Sequence, residues 1–369
     1  MSFLLPRGLA STEIFGLHRP RSVVRFPGSK PAGPLSKGML SLGGYFFLCA
    51  RVPSWWPCAS ISRPARVKAM KYAKPALSFE EQADLLLQRG MVGDRDEMIR
   101  RLARVSYYRL SGYSFPFRQS DNTFRPGTTF RVVWDHYVFD RKLRLLLLDA
   151  IERIEIGLRT SLSYHQGHDF GPFGYMNDAA ALPKLDSGRR NDLLTKVQLE
   201  TDRNHKEQFV AHFVGAYGDH HHALPIWMAT EVLSFGTVLS LWQASPNKLK
   251  RETAKVFGVS DDVLKSWFWT LNEVRNVCAH HSRLWNRLLG NKPMIPAVKH
   301  HPDWHEPVAI RNDRLFIALT ICQFCLHRLS PGSTWASRLR DLFDGYPGVP
   351  KRHMGIPDKW LDCPIWKAS

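Results

Sequence analysis

One face of a predicted helix gathers polar side chains that could act together on an anionic substrate. Projected at about 100° per residue, the stretch 267–289 brings two amides, a histidine and two arginines to one side: Asn272, Asn276, His280, Arg283 and Arg287. This face has no acidic residue, so it lacks the i,i+4 ion pairs of an ordinary solvated helix. Because an imidazole accepts or donates a proton near neutral pH, His280 is a candidate general acid or base.

Arg275 and Asn276 complete this candidate site. Asn276 precedes His280 by one turn, where its amide can hydrogen-bond the ring and fix the tautomer. Arg275 lies about 140° around the helix from His280, so the two side chains would flank a cleft. The alternative is that Arg275 and His280 belong to an internal network that holds helices together without chemistry. Another face of the same helix is apolar and is predicted to be buried: Trp267, Leu271, Val274, Cys278, Trp285 and Leu288.

The charge of the chain favours a polyanionic partner. The sequence has 51 Lys plus Arg against 33 Asp plus Glu, a formal net charge of +18. A surplus of this size attracts nucleic acid or an anionic membrane surface. The six cysteines are irregularly spaced and favour reduced thiols in a cytosol over a disulfide framework. No apolar run reaches the ~20 residues needed to span a bilayer, so we expect a cytoplasmic protein with no membrane partner.

Residues 1–69 differ from the rest of the chain. They are rich in Pro, Gly, Ser and Arg, hold ten basic residues and one acid, and show neither helical nor strand periodicity. We expect a basic, disordered extension. One interpretation places the biological start at Met70; the other is a real arm that binds nucleic acid. The expected domains are therefore this extension, a helical domain over 70–330, and a C-terminal helix with a Pro-rich tail over 331–369.

From residue 78 onward the sequence predicts an all-α protein. Ser78 and Glu81 form a capping box, Pro225 suits the first turn of a helix, and Ser260 begins the helix that carries Arg275. Turns with a short hairpin are expected over 109–129, because Ser, Gly, Pro and Asn are frequent there. The predicted helices cover about 78–89, 94–108, 130–164, 188–216, 225–243, 260–289, 312–329 and 333–344.

The segment Arg-Asn-Val-Cys-Ala-His at 275–280 resembles the Arg-x4–6-His signature of HEPN ribonucleases. The spacing alone is not specific, since it also joins Arg131 with His136 and Arg159 with His165. The flanking residues give the likeness its weight, and over about 70–328 they resemble the Abi-like family of the AbiD/AbiF type. The segments concerned are 74–82, 107–113, 152–159, 225–228, 233–236, 266–267 and 275–287.

The resemblance implies a HEPN-like helical bundle with an additional N-terminal helical region, acting in abortive infection, a bacterial defence against phage. It also implies RNA cleavage without a metal or cofactor, in which the ribose 2′-OH attacks the adjacent phosphorus and leaves a 2′,3′-cyclic phosphate. Arg275 would hold the phosphate, His280 would transfer protons, and Asn276 would orient one of them. In this family two HEPN units usually face each other, so one copy per chain implies a homodimer.

Three alternatives stay open. Arg159 with His165, and Glu155 one turn before Arg159, could form a second site in the same chain, or Glu155 and Arg159 could be a structural i,i+4 pair. The protein could bind a partner RNA and sense infection without cutting it. It could also be a toxin component with an antidote partner. Further RNA-binding candidates are His281, Arg283, Arg287, Tyr108 and Arg109, with the aromatics of 107–115 as stacking groups or as core.

Several common chemistries have no support in the sequence. Cys322 and Cys325 have zinc-like spacing but stand in an apolar helix without a second pair, so core thiols are expected. The three consecutive histidines 220–222 are expected in a loop. No glycine-rich phosphate loop, Gly-x-Ser-x-Gly elbow or His-Glu-x-x-His segment occurs, which leaves nucleotide hydrolysis, serine hydrolysis and zinc proteolysis without a candidate site.

Overall fold

The computed structural model describes residues 73–367, and this part of the chain folds into α-helices joined by turns. It contains no β-strand, and its extended pairing is limited to isolated bridges such as Arg118 with Phe124. The predicted all-α class is confirmed for these residues. None of the helices found there is both long and apolar enough to cross a membrane. The expectations for residues 1–69 lie outside the described residues.

The helices follow one another in a single compact unit from Lys74 onward. They are α1 (Phe79–Gln88), α2 (Arg95–Val105), α3 (Tyr107–Ser114), α4 (Phe130–Phe170), α5 (Gly174–Asn177), α6 (Ser187–Arg203), α7 (Gln208–Tyr217), α8 (Ile226–Val232), α9 (Phe235–Ala244), α10 (Asn247–Phe257), α11 (Asp261–Ala279), α12 (Leu315–Leu329), α13 (Trp335–Asp344) and α14 (Pro364–Lys367). Short 3₁₀ turns, the first at Phe115–Phe117, connect some of them.

Helix α4, with 41 residues, is the centre of the fold. Helices α3, α8, α10, α11, α12 and α13 all pack against it. Its apolar residues recur at helical spacing, so one continuous stripe is removed from water: Leu143, Leu147, Ile151, Ile154 and Leu158. The helix begins at Thr129, whose side chain accepts the Val132 N–H, and ends at Gly171, whose φ of 74° suits glycine. A helix of this length links the N-terminal helices to the rest of the unit.

The C-terminal residues pack on α12. The ring of Trp366 lies 5.8 Å from that of Phe316 and 6.2 Å from that of Trp335, centroid to centroid, and both pairs are stacked. The indole N–H of Trp335 donates to the backbone oxygen of Leu146 on α4 at 2.7 Å. These aromatic contacts attach the Pro-rich tail to the core.

Several predicted helix boundaries were wrong. The stretch predicted as one helix to about residue 108 breaks at Ser106, which has φ of 64°, and α3 follows where turns had been expected. Helix α4 continues through Gly167 to Phe170 instead of ending near 164. A Cβ at Gly167 would make an ordinary van der Waals contact with the ring of Trp227 at 3.5 Å, so α8 packs directly against this turn of α4. Helix α10 was not predicted, and Leu233 and Ser234 separate α8 from α9.

The most important correction concerns the helix of the candidate site. Helix α11 begins after Ser260, as predicted, but ends at Ala279 instead of near residue 289. Arg283 and Arg287 therefore lie in the following loop, and the predicted polar face of five side chains on one helix does not exist. Leu288, predicted to be buried, is 60 % exposed. The chain leaves the helix at His281, whose φ is 56°, and the next residues turn toward α4.

Buried histidines predict a loss of stability in mild acid. His136 on α4 lies between the rings of Phe117 and Trp285, and its Nδ1 is 2.8 Å from the backbone oxygen of Val132. Burial lowers the pKa of His136, and it also lowers the pKa of His353, whose ring contacts Trp285. The unfolded chain therefore takes up protons below pH ~6.5 that the folded chain does not.

We expect the free energy of unfolding to fall as the pH drops below ~6.5. Above that pH these histidines should add no pH dependence to it. His136→Asn, which removes one titrating group, is expected to reduce this slope, whatever its effect at neutral pH. Urea unfolding of both proteins between pH 7.5 and pH 5 measures the slopes. Equal slopes for wild type and variant would contradict the assignment to His136.

Candidate functional site

Arg275 lies in the last turns of α11, next to an acidic residue of α4. Its Nε is 4.0 Å from Oε2 of Glu155, and its side chain is 38 % exposed, against 12 % for Glu155. The other carboxylate oxygen of Glu155 accepts a hydrogen bond from Arg159. The Glu155 and Arg159 pair, predicted as part of a possible second site, thus lies at the same place as Arg275. Helices α4 and α11 bring these three side chains together.

Arg159 donates its hydrogen bonds to other groups of the protein. Its guanidinium donates to the backbone oxygens of Thr230 and Leu233, at the end of α8, as well as to Glu155. These contacts satisfy orphan carbonyl groups at a helix C-terminus. Arg159 therefore fixes α8 to α4. Arg275, by contrast, has one long ionic contact among the described residues and a side chain that is 38 % exposed.

His165 does not join this cluster. It follows Arg159 by six residues, which places it about 120° away around α4. Its ring lies against Tyr164, at 5.2 Å between centroids, and near Glu252 of α10. The structure thus directs Arg159 to α8 and His165 toward α10, and it does not bring them together as a pair.

His280 directly follows the last residue of α11. It is exposed, and its backbone N–H donates to the backbone oxygen of Asn276 at 3.0 Å. The predicted hydrogen bond between the two side chains is not among the contacts of the described residues, and Asn276 is also exposed. His280 follows Arg275 by five positions, about 7.5 Å along a helix axis. The cation and the imidazole thus both lie near the C-terminal end of α11, about 140° apart around its axis.

A buried carboxylate holds the loop that follows His280. Asp140 on α4 is fully buried and accepts the backbone N–H groups of Trp285 at 2.6 Å and Leu284 at 3.2 Å. The hydroxyl of Tyr113 donates to it at 2.6 Å, and Arg144 pairs with it. Burial raises the pKa of Asp140, while these donors oppose that rise. Burial beside Asp140 also raises the pKa of Tyr113 well above its usual value.

Two arginines attach the same loop to α3. Arg109 donates through Nη1 to the backbone oxygen of His281 at 2.6 Å. Arg283 reaches in the other direction and donates to the backbone oxygen of Gly112. Loop 280–289 is therefore fixed on two sides, by α3 and by Asp140 of α4, and His280 stands at its start.

Comparison with known proteins gave one match, to a protein family. A family model described as Abi-like protein matches residues 100–286, from within α2 to the loop after α11. The chain belongs to the Abi-like family. No curated protein and no solved structure gave a significant match. The matched range holds α3, α4, α11 and the loop as far as residue 286, so the contacts around Asp140 and Glu155 all fall within the Abi-like part of the chain.

The remaining candidates of this Abi-like protein lie around the loop. Tyr108 on α3 is 89 % exposed, next to Arg109. Arg287 is exposed near the end of the loop. Tyr113, one of the aromatics of 107–115, is buried in the core. Asp140 and Arg144 were missed by the sequence analysis. Their signal is an Asp and an Arg at i,i+4 in α4, which looks like any surface pair.

The described residues offer no arrangement suited to thiol or metal chemistry. Cys278 faces the Asp140 network, and burial raises its pKa to about 12. Cys322 and Cys325 are buried in α12, as predicted for core thiols. Within residues 73–367 no three His, Cys, Asp or Glu side chains are grouped so that they could hold a metal ion.

Proposed function

We propose that this Abi-like protein is a cytoplasmic abortive infection protein that cleaves RNA without a metal ion, with Arg275 and His280 as its catalytic residues. The observation that carries this proposal is the end of α11. Arg275 is half-exposed there, and His280 is exposed on a loop that a buried carboxylate and two arginines hold in place. Family membership supports the role in abortive infection.

The chemistry would be a transesterification within the RNA. His280 accepts the proton of a ribose 2′-OH, or donates a proton to the departing 5′-oxygen. The new bond joins the 2′-oxygen to phosphorus, and the broken bond releases the 5′-oxygen of the next nucleotide. Arg275 binds a non-bridging phosphate oxygen and stabilises its growing negative charge. Asn276, which is exposed one turn before His280, would hydrogen-bond the same phosphate.

Glu155 lies beside Arg275, the proposed phosphate ligand, and Arg159 offsets the negative charge of Glu155. The two guanidinium groups and one carboxylate sum to one positive charge, with Glu155 and Arg159 largely buried and Arg275 outermost. Since Glu155 lies closer to Arg159 than to Arg275, the outer arginine keeps its attraction for an anion. This arrangement supports Arg275, rather than Arg159, as the phosphate ligand.

The same proposal includes a homodimer. Proton removal and proton donation occur on opposite sides of the phosphorus, so two imidazoles serve better than one. Each chain supplies one His280, and the HEPN resemblance of 275–280 implies two units that face each other. A second protomer would provide the second histidine and arginine.

The test is cleavage of RNA by the full chain with a chelator present. Wild type is compared with Arg275→Ala and His280→Ala, and the ends of the products are identified. Cyclic phosphate ends from wild type, absent with both variants, are expected. If wild type and both variants bind a discrete RNA and none cleaves it, the protein is an RNA-binding sensor and the catalytic proposal fails.

A further inference from the structure

Two aromatic side chains stand in solvent on the same side of α3 and the turn that follows it. Tyr108 is 89 % exposed and Phe115 is 69 % exposed. They are seven residues apart, so at helical geometry they point within about 20° of each other and lie about 10.5 Å apart along the axis. Large aromatic rings are rarely left so open in pairs without a partner. We call this surface the α3 platform.

The α3 platform lies in a part of the described chain whose charged residues are all basic. From residue 98 to residue 120 there is no Asp or Glu, and five arginines occur: Arg100, Arg101, Arg104, Arg109 and Arg118. Arg101 and Arg118 are engaged with the rings of Trp134 and Phe124. Arg104 and Arg109 are exposed on either side of Tyr108 in the sequence. Positive charge beside exposed rings suits a nucleic acid better than an apolar protein surface.

The platform is continuous with the loop that carries His280. Arg109, the neighbour of Tyr108, holds the backbone oxygen of His281, and Arg283 holds that of Gly112. Gly112 lies between Tyr108 and Phe115, and a Cβ added there would be 3.9 Å from Cδ of Arg283. An RNA strand at His280 could therefore pass directly onto α3.

We infer that the α3 platform binds unpaired bases of single-stranded RNA, which stack on Tyr108 and Phe115 while the arginines contact the backbone. This inference rests on the proposed function for the nature of the ligand. The backbone positions of Tyr108 and Phe115 are about 10.5 Å apart along the axis, about three times the ~3.4 Å between stacked bases of a duplex, so each ring holds a separate, splayed base. Double-stranded RNA, whose bases are stacked inside the helix, does not fit the platform.

The test measures RNA affinity, not cleavage. The full chain carrying His280→Ala is titrated into a labelled single strand of about 12 nucleotides and, separately, into a duplex of the same length. Tyr108→Ala and Phe115→Ala are each expected to weaken binding of the single strand about tenfold and to leave duplex binding unchanged. Tyr108→Trp keeps a stacking surface and should retain full affinity. Tyr217→Ala, on α7 and 52 % exposed, is the matched control and should bind normally.

The outcomes separate the platform from the catalytic proposal. Equal affinity of Tyr108→Ala and the parent for the single strand overturns the platform, even if wild type cleaves RNA. An equal loss with single strand and duplex also overturns it, because stacking on free bases would not be the cause. If Tyr108→Ala instead dissociates a dimer in sedimentation velocity with RNA binding intact, α3 is a protein interface and the inference is wrong. Weakened binding without any cleavage by wild type supports the platform and rejects the ribonuclease.

Discussion

His280→Ala is expected to lower the rate of RNA cleavage by about 10²–10⁴-fold, the range typical of a lost general acid or base. The affinity for RNA and the thermal stability should stay at wild-type values. His280 is exposed, and its hydrogen bond to Asn276 uses the backbone N–H, which alanine retains. Single-turnover cleavage with excess protein isolates the chemical step from binding.

His281 is the matched control for this experiment. It satisfies the Arg-x4–6-His spacing equally well, but its backbone is in the left-handed region with φ of 56°, and its carbonyl group binds Arg109. His281→Asn suits that backbone conformation and keeps the carbonyl group. We expect it to cleave RNA at the wild-type rate. If His281→Asn loses activity and His280→Ala does not, the assigned imidazole is wrong.

The dimer proposal predicts complementation between inactive variants. Arg275→Ala lacks the arginine of the proposed site, and His280→Ala lacks the histidine. A mixed dimer of the two variants keeps one Arg275 and one His280. If the two protomers share a site, the mixture should regain part of the wild-type cleavage rate. A mixture as inactive as its components, with exchange of protomers verified, would argue against a shared site.

Local signals predicted where helices begin. Ser78 accepts the N–H of Glu81 while Glu81 accepts the N–H of Ser78, as the capping box required. Ser260 likewise accepts the N–H of Val263 at the start of α11. In each case the residues that decide the structure are three apart in the chain. Such contacts can be found without knowledge of the fold.

The end of α11 could not be found in this way. After Ala279 the sequence has no Gly or Pro until Gly290, so nothing local stops the helix. The helix ends because Asp140, more than 140 residues earlier, accepts the N–H groups of Leu284 and Trp285. Glu155 meets Arg275 through the packing of α4 on α11 in the same way. The motif named the candidate residues, and tertiary contacts decide how they are arranged.

Asp140→Ala is expected to lower the free energy of unfolding by about 3–5 kcal/mol, the cost typical of breaking a buried ion pair. It leaves the guanidinium of Arg144, which is 7 % exposed, without its carboxylate, and it leaves two buried N–H groups without an acceptor. The control is Asp84→Ala, which breaks the exposed ion pair with Arg95 and should cost less than about 1 kcal/mol. Urea unfolding at neutral pH measures both values.

Asp140→Asn distinguishes the effect of the buried carboxylate on the loop from its effect on the stability of the fold. An amide oxygen can still accept one of the N–H groups of Leu284 and Trp285, but it cannot balance Arg144, so a smaller loss of stability is expected. Because the loop begins at His280, the folded variant should cleave RNA more slowly than wild type while binding it equally well. If Asp140→Asn is folded and cleaves at the full rate, the buried carboxylate stabilises the fold without positioning His280. If Asp140→Ala is as stable as wild type, the carboxylate does not support the loop at all.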